Sequence, residues 1–380
     1  MELSFYVHIP YCVKRCGYCD FNTYTPTELQ ISTGLAQLSN SYIDLLIAEI
    51  DLAKVQVGDA TVPTIFFGGG TPSLMEPSDI GRVIKAIANK FGLSDNCEIT
   101  LETNPDTVDK EKLAAFKAAG VNRISFGMQS AVPHILATLD RTHNPANLPQ
   151  VTKWAAEVGF VDVSVDLIYG TPGETLADWQ TSIDAALALP VNHISAYALI
   201  VEERTKLANA IKRGEIANLD DDLTAEKYLI ADAAFSKAGF TWYELSNWSK
   251  ESGESKHNIA YWLNKNWWGA GPGAHSHING KRWWNVKHPN LYREKMEQNI
   301  SPELDSEVLE PIQIESERLM LSIRLPEGIT KESLSEVQIA SLHQYLQSGA
   351  LDTAKWDAGS VSLTLNGRLI ADRIVREILL

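Results

Sequence analysis

Cysteine is scarce in this 380-residue chain, with four in all. That scarcity excludes a secreted fold stapled by disulfides, which uses more cysteines and spreads them along the chain. No uninterrupted apolar run reaches about 18 residues, so no helix is expected to span a bilayer. The start, Met-Glu-Leu-Ser-Phe-Tyr-Val, lacks the basic region and cleavage pattern of a signal peptide. Positive charge is in deficit: 33 Lys and Arg against 48 Asp and Glu leave a net charge of −15. Sequence-independent binding to nucleic acid needs clustered Lys and Arg and is not expected. With 44% hydrophobic residues the chain can bury a large core, which rules out disorder. The length allows two or three domains, or one barrel with an appendage, and a cytoplasmic location is expected.

Through residue 200, strand-like and helix-like segments alternate. Apolar or β-branched runs occur at Leu3–Ile9, Thr64–Phe67, Glu98–Glu102, Arg123–Phe126, Asp162–Ile168 and His193–Leu199. Segments of helical periodicity separate them, at Tyr42–Val55, Ser78–Phe91, Lys110–Ala119, Ala146–Val158 and Leu176–Leu187. Such repeats predict a parallel sheet covered by helices. Six strands are fewer than the eight of a complete barrel, so the expected fold is α/β, a partial (β/α)6 barrel. Polar residues gather at the strands' carboxyl ends, the edge at which such sheets bind ligands: Gly68–Thr71, Glu102–Asn104, Gly127–Gln129, Asp166 and Tyr169–Gly170. Residues 240–290 hold seven of the ten Trp. These make either a flat floor for a large ligand or packing, and packing is expected for most of them. The organisation read from the pattern is a barrel over 1–205, an aromatic-rich segment completing it over 206–300, and a winged-helix-like α+β domain over 301–380.

Three cysteines, Cys12, Cys16 and Cys19, fall within eight residues, flanked by Lys14, Arg15 and Gly17 in an evident loop. That spacing points to metal. A structural zinc site normally takes four protein ligands, for which Cys97 is the remaining thiol. A [4Fe–4S] cluster on three thiolates instead leaves one iron open to an exogenous chelate.

Cys-x3-Cys-x2-Cys with Tyr18 before the last cysteine resembles the signature of the radical S-adenosylmethionine (SAM) superfamily. The run from His8 through Phe21 is similar to the branch holding the oxygen-independent coproporphyrinogen III oxidases and the HemW haem chaperones. Four further motifs follow in order: Phe67-Gly68-Gly69-Gly70-Thr71-Pro72-Ser73, Arg123 to Ser130, Asp166 to Gly170, and His257-Asn258-x2-Tyr261-Trp262, with Gly269-x-Gly271-x-Gly273-Ala274-His275 closing the set. The resemblance implies a radical SAM fold, with cluster ligands Cys12, Cys16 and Cys19. SAM would chelate the open iron, and one electron would cleave its sulfonium to methionine and a 5′-deoxyadenosyl radical. It implies a SAM site at Tyr6, Tyr18, Gly69, Gly70, Thr71, Glu102, Gln129, Arg141 and Asp166. The glycines allow close approach of backbone to the methionyl amino group, and Arg141 suits a carboxylate.

Two departures separate the chain from the oxidases. Where they carry a further cysteine, two residues after the last ligand, stands Phe21, and only eleven residues precede Cys12. Both match the HemW subfamily. The resemblance then implies a protein that binds haem and passes it to an acceptor protein, drawing on an electron donor. His257, and after it His275, are the candidate haem contacts, imidazole being a competent ligand of haem iron. For His257 the alternative is a histidine capping a local turn beside Trp262. The competing functions are coproporphyrinogen III oxidation and a zinc-stabilised interaction protein.

Overall fold

The structure, a computed structural model, describes residues 1–30 and 34–379, the side chains of 34–40 excepted. Six strands lie where the apolar runs place them: β1 (Ser4–Ile9), β2 (Val62–Gly69), β3 (Leu93–Thr103), β4 (Arg123–Gln129), β5 (Asp162–Tyr169) and β6 (His193–Ala198). Each pairs parallel with the next. Parallel neighbours need crossovers, and these are α1 (Gly34–Val57), α2 (Pro77–Phe91), α3 (Lys110–Ala118), α4 (Pro133–Thr138) with α5 (Leu148–Glu157), and α6 (Leu176–Leu187). Helix α2 shows the local logic. Pro77 opens it, Gly92 at φ +79° closes it, and Ile80, Val83, Ile84, Ile87 and Phe91 form the buried stripe between. The start of α6 is fixed by a capping box between Thr175 and Asp178.

The chain continues through α7 (Lys206–Lys212), α8 (Asp221–Lys237), β7 (Thr241–Glu244), β8 (Asn247–Ser249), α9 (Lys256–Trp262), β9 (Trp267–Ala270), β10 (His275–Ile278), β11 (Lys281–Asn285), α10 (Pro289–Glu297) and β12 (Glu303–Val308). These strands extend the sheet at both edges, giving twelve among the described residues, in the order β12-β11-β10-β9-β1-β2-β3-β4-β5-β6-β8-β7. Among the described residues hydrogen bonds do not close it, so it is an open, partial barrel. Strand β9 runs parallel to β1, whereas β8 runs antiparallel to β6. The pattern did not reveal β7–β12, because strands of three to six residues are too short to display a period of two against Trp-rich surroundings. Strand β12 pairs with β11, so the large sheet runs past the boundary expected at 300. Trp242, Trp248, Trp268 and Trp283 are buried in its core, as packing requires.

Beyond lie α11 (Pro311–Ser322), β13 (Ile329–Thr330), α12 (Glu336–Gln347), α13 (Thr353–Asp357), β14 (Ser360–Val361), α14 (Leu365–Leu369) and α15 (Ala371–Leu379). They surround a second core that includes Leu319, Ile323, Leu342, Trp356, Val361 and Ile374. Strands β13 and β14 pair antiparallel but flank α12 and α13 in the chain, so they are not a hairpin.

Candidate cluster and nucleotide site

Leaving β1 at Pro10, the chain makes a loop whose ends are tied together: Cys12 N–H donates to the Tyr24 carbonyl at 3.0 Å and Tyr24 N–H to that of Pro10 at 2.7 Å. Gly17 N–H donates to the Leu139 carbonyl at 3.0 Å, and Leu207 N–H to Gly17's at 2.9 Å. Lys14 and Lys206 both pair with Asp140, at 2.5 and 2.9 Å. The loop thus rests on the carboxyl edge of the sheet. There a pocket of about 190 Å³ brings Cys12, Cys16, Tyr18 and Cys19 together with Gly69, Gly70, Thr71, Glu102, Gln129, Arg141 and Asp166. Tyr6 lines the adjoining barrel cavity with Tyr18, Glu102, Gln129 and Asp166.

Burial raises the Cys12 thiol and pushes Cys19 up to about 11. At Cys12 the Thr71 hydroxyl, 3.7 Å from Sγ, and the charge of Arg141 oppose this, and at Cys19 the Phe21 backbone does so; Arg141 Nη1 lies 3.6 Å from Cys16 Sγ. Arg141 is itself held by the Gly127 carbonyl at 3.1 Å and by His143 Nδ1 at 3.1 Å. Cys97 is buried near the opposite end of β3 and lines none of these cavities. Among the described residues no three His, Cys, Asp or Glu side chains are placed to share one ion. A structural zinc takes four protein ligands, whereas a cubane takes one thiolate on each of three irons. Cys97 therefore does not complete a four-thiolate zinc site, and the three thiols of the loop are a donor set that an iron–sulfur cluster with one open iron could use.

The polar residues come from strand ends brought level by the register, which sets Glu102 beside Ser125 and Gly127 beside Asp166. The Glu102 carboxyl is pushed up to about 7, first by burial and then by the charge of Asp166. Asp166 is raised by burial as well, though the Ser125 hydroxyl donates to it at 2.9 Å. A bulge between Gly127 and Gln129 leaves Gln129 at φ +61°, which re-aims its side chain. The Tyr6 hydroxyl shares a hydrogen bond with His8 Nδ1 at 3.0 Å, and His8 Nε2 reaches the Asn22 carbonyl at 2.8 Å.

For the glycines the structure supplies a cause beyond approach to a ligand. Gly69 has φ +107°, and a Cβ there would lie 2.4 Å from His8 Cε1. Its N–H donates to Glu102 at 3.2 Å. Gly70 N–H donates to the Ile9 carbonyl at 2.7 Å and Thr71 N–H to Tyr11's at 2.8 Å. The bare backbone is needed for β2 to lie against the cysteine loop.

The two histidines differ sharply. His257 is buried on α9, with Nδ1 2.7 Å from the Thr64 hydroxyl, Nε2 2.9 Å from the Tyr261 hydroxyl, and its ring stacked on Phe66. It lines the barrel cavity of about 440 Å³, yet both nitrogens are engaged, so this imidazole has no lone pair to offer iron as it stands. The Glu98 carboxylate accepts the N–H groups of Lys256 and His257, each at 2.9 Å, and so anchors the start of α9. His275, at the start of β10, is exposed and faces an adjoining cleft. Sequence reasoning missed Glu49, wholly buried on α1, which accepts from Gly271 N–H at 2.8 Å, the Asn285 amide at 2.7 Å and the Tyr292 hydroxyl at 2.5 Å. A carboxylate among the apolar positions of a helix is the one local sign of it.

The family model described as "Radical SAM superfamily" matches residues 6–186. The chain is 43% identical to the "Heme chaperone HemW" of Mycobacterium tuberculosis over 98% of this chain and 94% of that one. It is 34% identical to the protein of the same name in Bacillus subtilis, over 98% and 97%. Among solved structures, the coproporphyrinogen III oxidase HemN of Escherichia coli has the same fold, with TM-score 0.84 and 19% identity over 99% of this chain and 90% of that one. The chain belongs to the radical SAM superfamily and, within it, to the HemW family.

Proposed function

We propose that the protein is a haem chaperone, which binds haem and passes it to an acceptor protein in the cytoplasm. The observation that carries this reading is likeness along nearly the whole of both chains to relatives named for that role. The exposed Phe21 agrees with it, standing where the resemblance to the oxidases asks for a thiol. Cys12, Cys16 and Cys19 would hold the [4Fe–4S] cluster. When bound, cluster and SAM together supply one-electron cleavage of a sulfonium. The chain's own residues do the positioning. Arg141 sets a positive charge beside Cys16 and is available to a carboxylate, and Glu102 and Asp166 are available to an ammonium or to ribose hydroxyls. Gln129, Tyr6 and Tyr18 complete the walls, and Gly69, Gly70 and Thr71 form the side next to the loop. The one-electron step calls for an electron donor, which pull-down with the reconstituted protein would capture.

The test is anaerobic reconstitution of the full chain followed by titration with hemin, alongside incubation with SAM, dithionite and coproporphyrinogen III. Stoichiometric hemin binding without protoporphyrinogen formation is expected. Formation of protoporphyrinogen would replace this reading with the oxidase, which the shared fold accommodates.

A further inference from the structure

Resting on the haem-chaperone reading, we infer that the haem iron is ligated by His275, in the cleft between the cysteine loop and the β9–β10 turn, and not by His257. For His257 to ligate iron, a buried hydrogen bond to Thr64 or Tyr261 must be given up, leaving a hydroxyl unpaired in the core. His275 has no such cost. Neither of its ring nitrogens makes a hydrogen bond among the described residues, and its ring is held against Trp284 at 5.7 Å and 25°.

The backbone that presents His275 is rigid. Its carbonyl accepts from Trp267 Nε1 at 2.9 Å. The preceding turn is pinned by Glu49 on Gly271 N–H, by Gly273 N–H on the Val286 carbonyl at 3.0 Å, and by the Asn22 amide on the Pro272 carbonyl at 2.9 Å. Gly271 and Gly273 take φ +106° and +74°, and a Cβ on Gly269 would fall 2.1 Å from the His275 carbonyl oxygen. A ligand fixed in this way is preorganised.

The cleft, about 600 Å³, has the size and lining for a macrocycle with two carboxylates. Tyr6, Phe21 and Trp267 supply aromatic surface, and Phe21 is 63% exposed. Lys287 makes no ion pair among the described residues, whereas Arg15 is engaged by Glu28 at 3.3 Å and by the Thr23 carbonyl. Both cations face the cleft, as does the single carboxylate Asp20. Tyr6, Phe21 and Tyr261 line this cleft and the barrel cavity alike, and Phe21 also lines the cluster pocket. Haem here would lie beside the radical site yet at the surface, where an acceptor can reach it.

The experiment is hemin titration of the reconstituted full chain, with electron paramagnetic resonance and Soret spectra, for the parent, His275→Ala, His257→Gln and Lys287→Glu. His275→Ala is expected to weaken hemin binding by about tenfold or more and to abolish the iron–imidazole signature, while metal-free protoporphyrin IX changes by less than about threefold. Added imidazole should restore the signature. Lys287→Glu should weaken hemin but not its dimethyl ester. If the parent binds hemin and His275→Ala keeps the same spectrum and affinity, or His257→Gln alone removes the ligation, His275 is not the ligand and the chaperone reading stands. If the parent binds no hemin, both fall together.

Discussion

A Cβ on Gly70 would lie 2.5 Å from the Tyr11 carbonyl oxygen and 2.8 Å from that of Ile9, both backbone atoms that cannot swing aside. Gly70→Ala must therefore push the cysteine loop off the sheet, at a cost of about 1–3 kcal/mol. Iron and sulfide per chain after reconstitution should fall with it, and a full complement of iron would show that the loop adapts. Glu102 offers a test in pH. Burial and Asp166 raise its carboxyl from an ordinary 4.5 to about 7, so the folded chain holds this proton more tightly than the unfolded one. Its contribution to stability is complete below pH 4.5 and is lost as the pH rises through 7. Glu102→Gln has no such loss. Urea denaturation should find it gaining on the parent between pH 5 and pH 8 by about 1–3 kcal/mol, even if SAM binding suffers. Parallel profiles for the two chains would refute the raised carboxyl.

At the level of elements, one buried carboxylate gathers part of the aromatic-rich segment onto α1. Glu49 projects from α1 and gathers the β9–β10 turn, the end of β11 and α10 through Gly271, Asn285 and Tyr292. Glu49→Ala leaves these donors buried without an acceptor and is expected to cost about 2–4 kcal/mol, against about 1 kcal/mol for Tyr292→Phe, which removes one bond. Equal costs in denaturation would mean that the carboxylate does not act as a hub. Helix α9 is anchored in a related way. Glu98 meets its first N–H groups, and the i, i+4 spacing of His257 and Tyr261 puts both rings on one face, where they bond each other at 2.9 Å. Much of the His-Asn-x2-Tyr-Trp motif thus has an account in the packing of α9 onto β2.

Over the whole molecule, the segment from 311 to 379 has its own core and is tied to the barrel through Arg368. This guanidinium pairs with Asp232 on α8 at 2.8 Å and stacks over Trp242 at 3.8 Å, with both partners of the ion pair largely buried. Arg368→Ala is expected to cost about 2–4 kcal/mol. It should speed amide exchange in 311–379 while leaving β1–β6 protected, and exchange that is unchanged or uniformly faster would exclude this role.

The six parallel strands, their crossover helices and the cysteine loop were legible in the sequence, because hydrophobic period and thiol spacing are properties of adjacent residues. So was the gathering of Glu102, Gln129 and Asp166, since in a parallel sheet every carboxyl end faces one way. Only the tertiary structure decided that Cys97 stands apart, that β7–β12 extend the sheet, that Glu49 clamps the glycine turn, and that both ring nitrogens of His257 are hydrogen-bonded while those of His275 have no hydrogen-bond partner among the described residues. Each of these depends on partners distant along the chain, whose meeting no local pattern encodes.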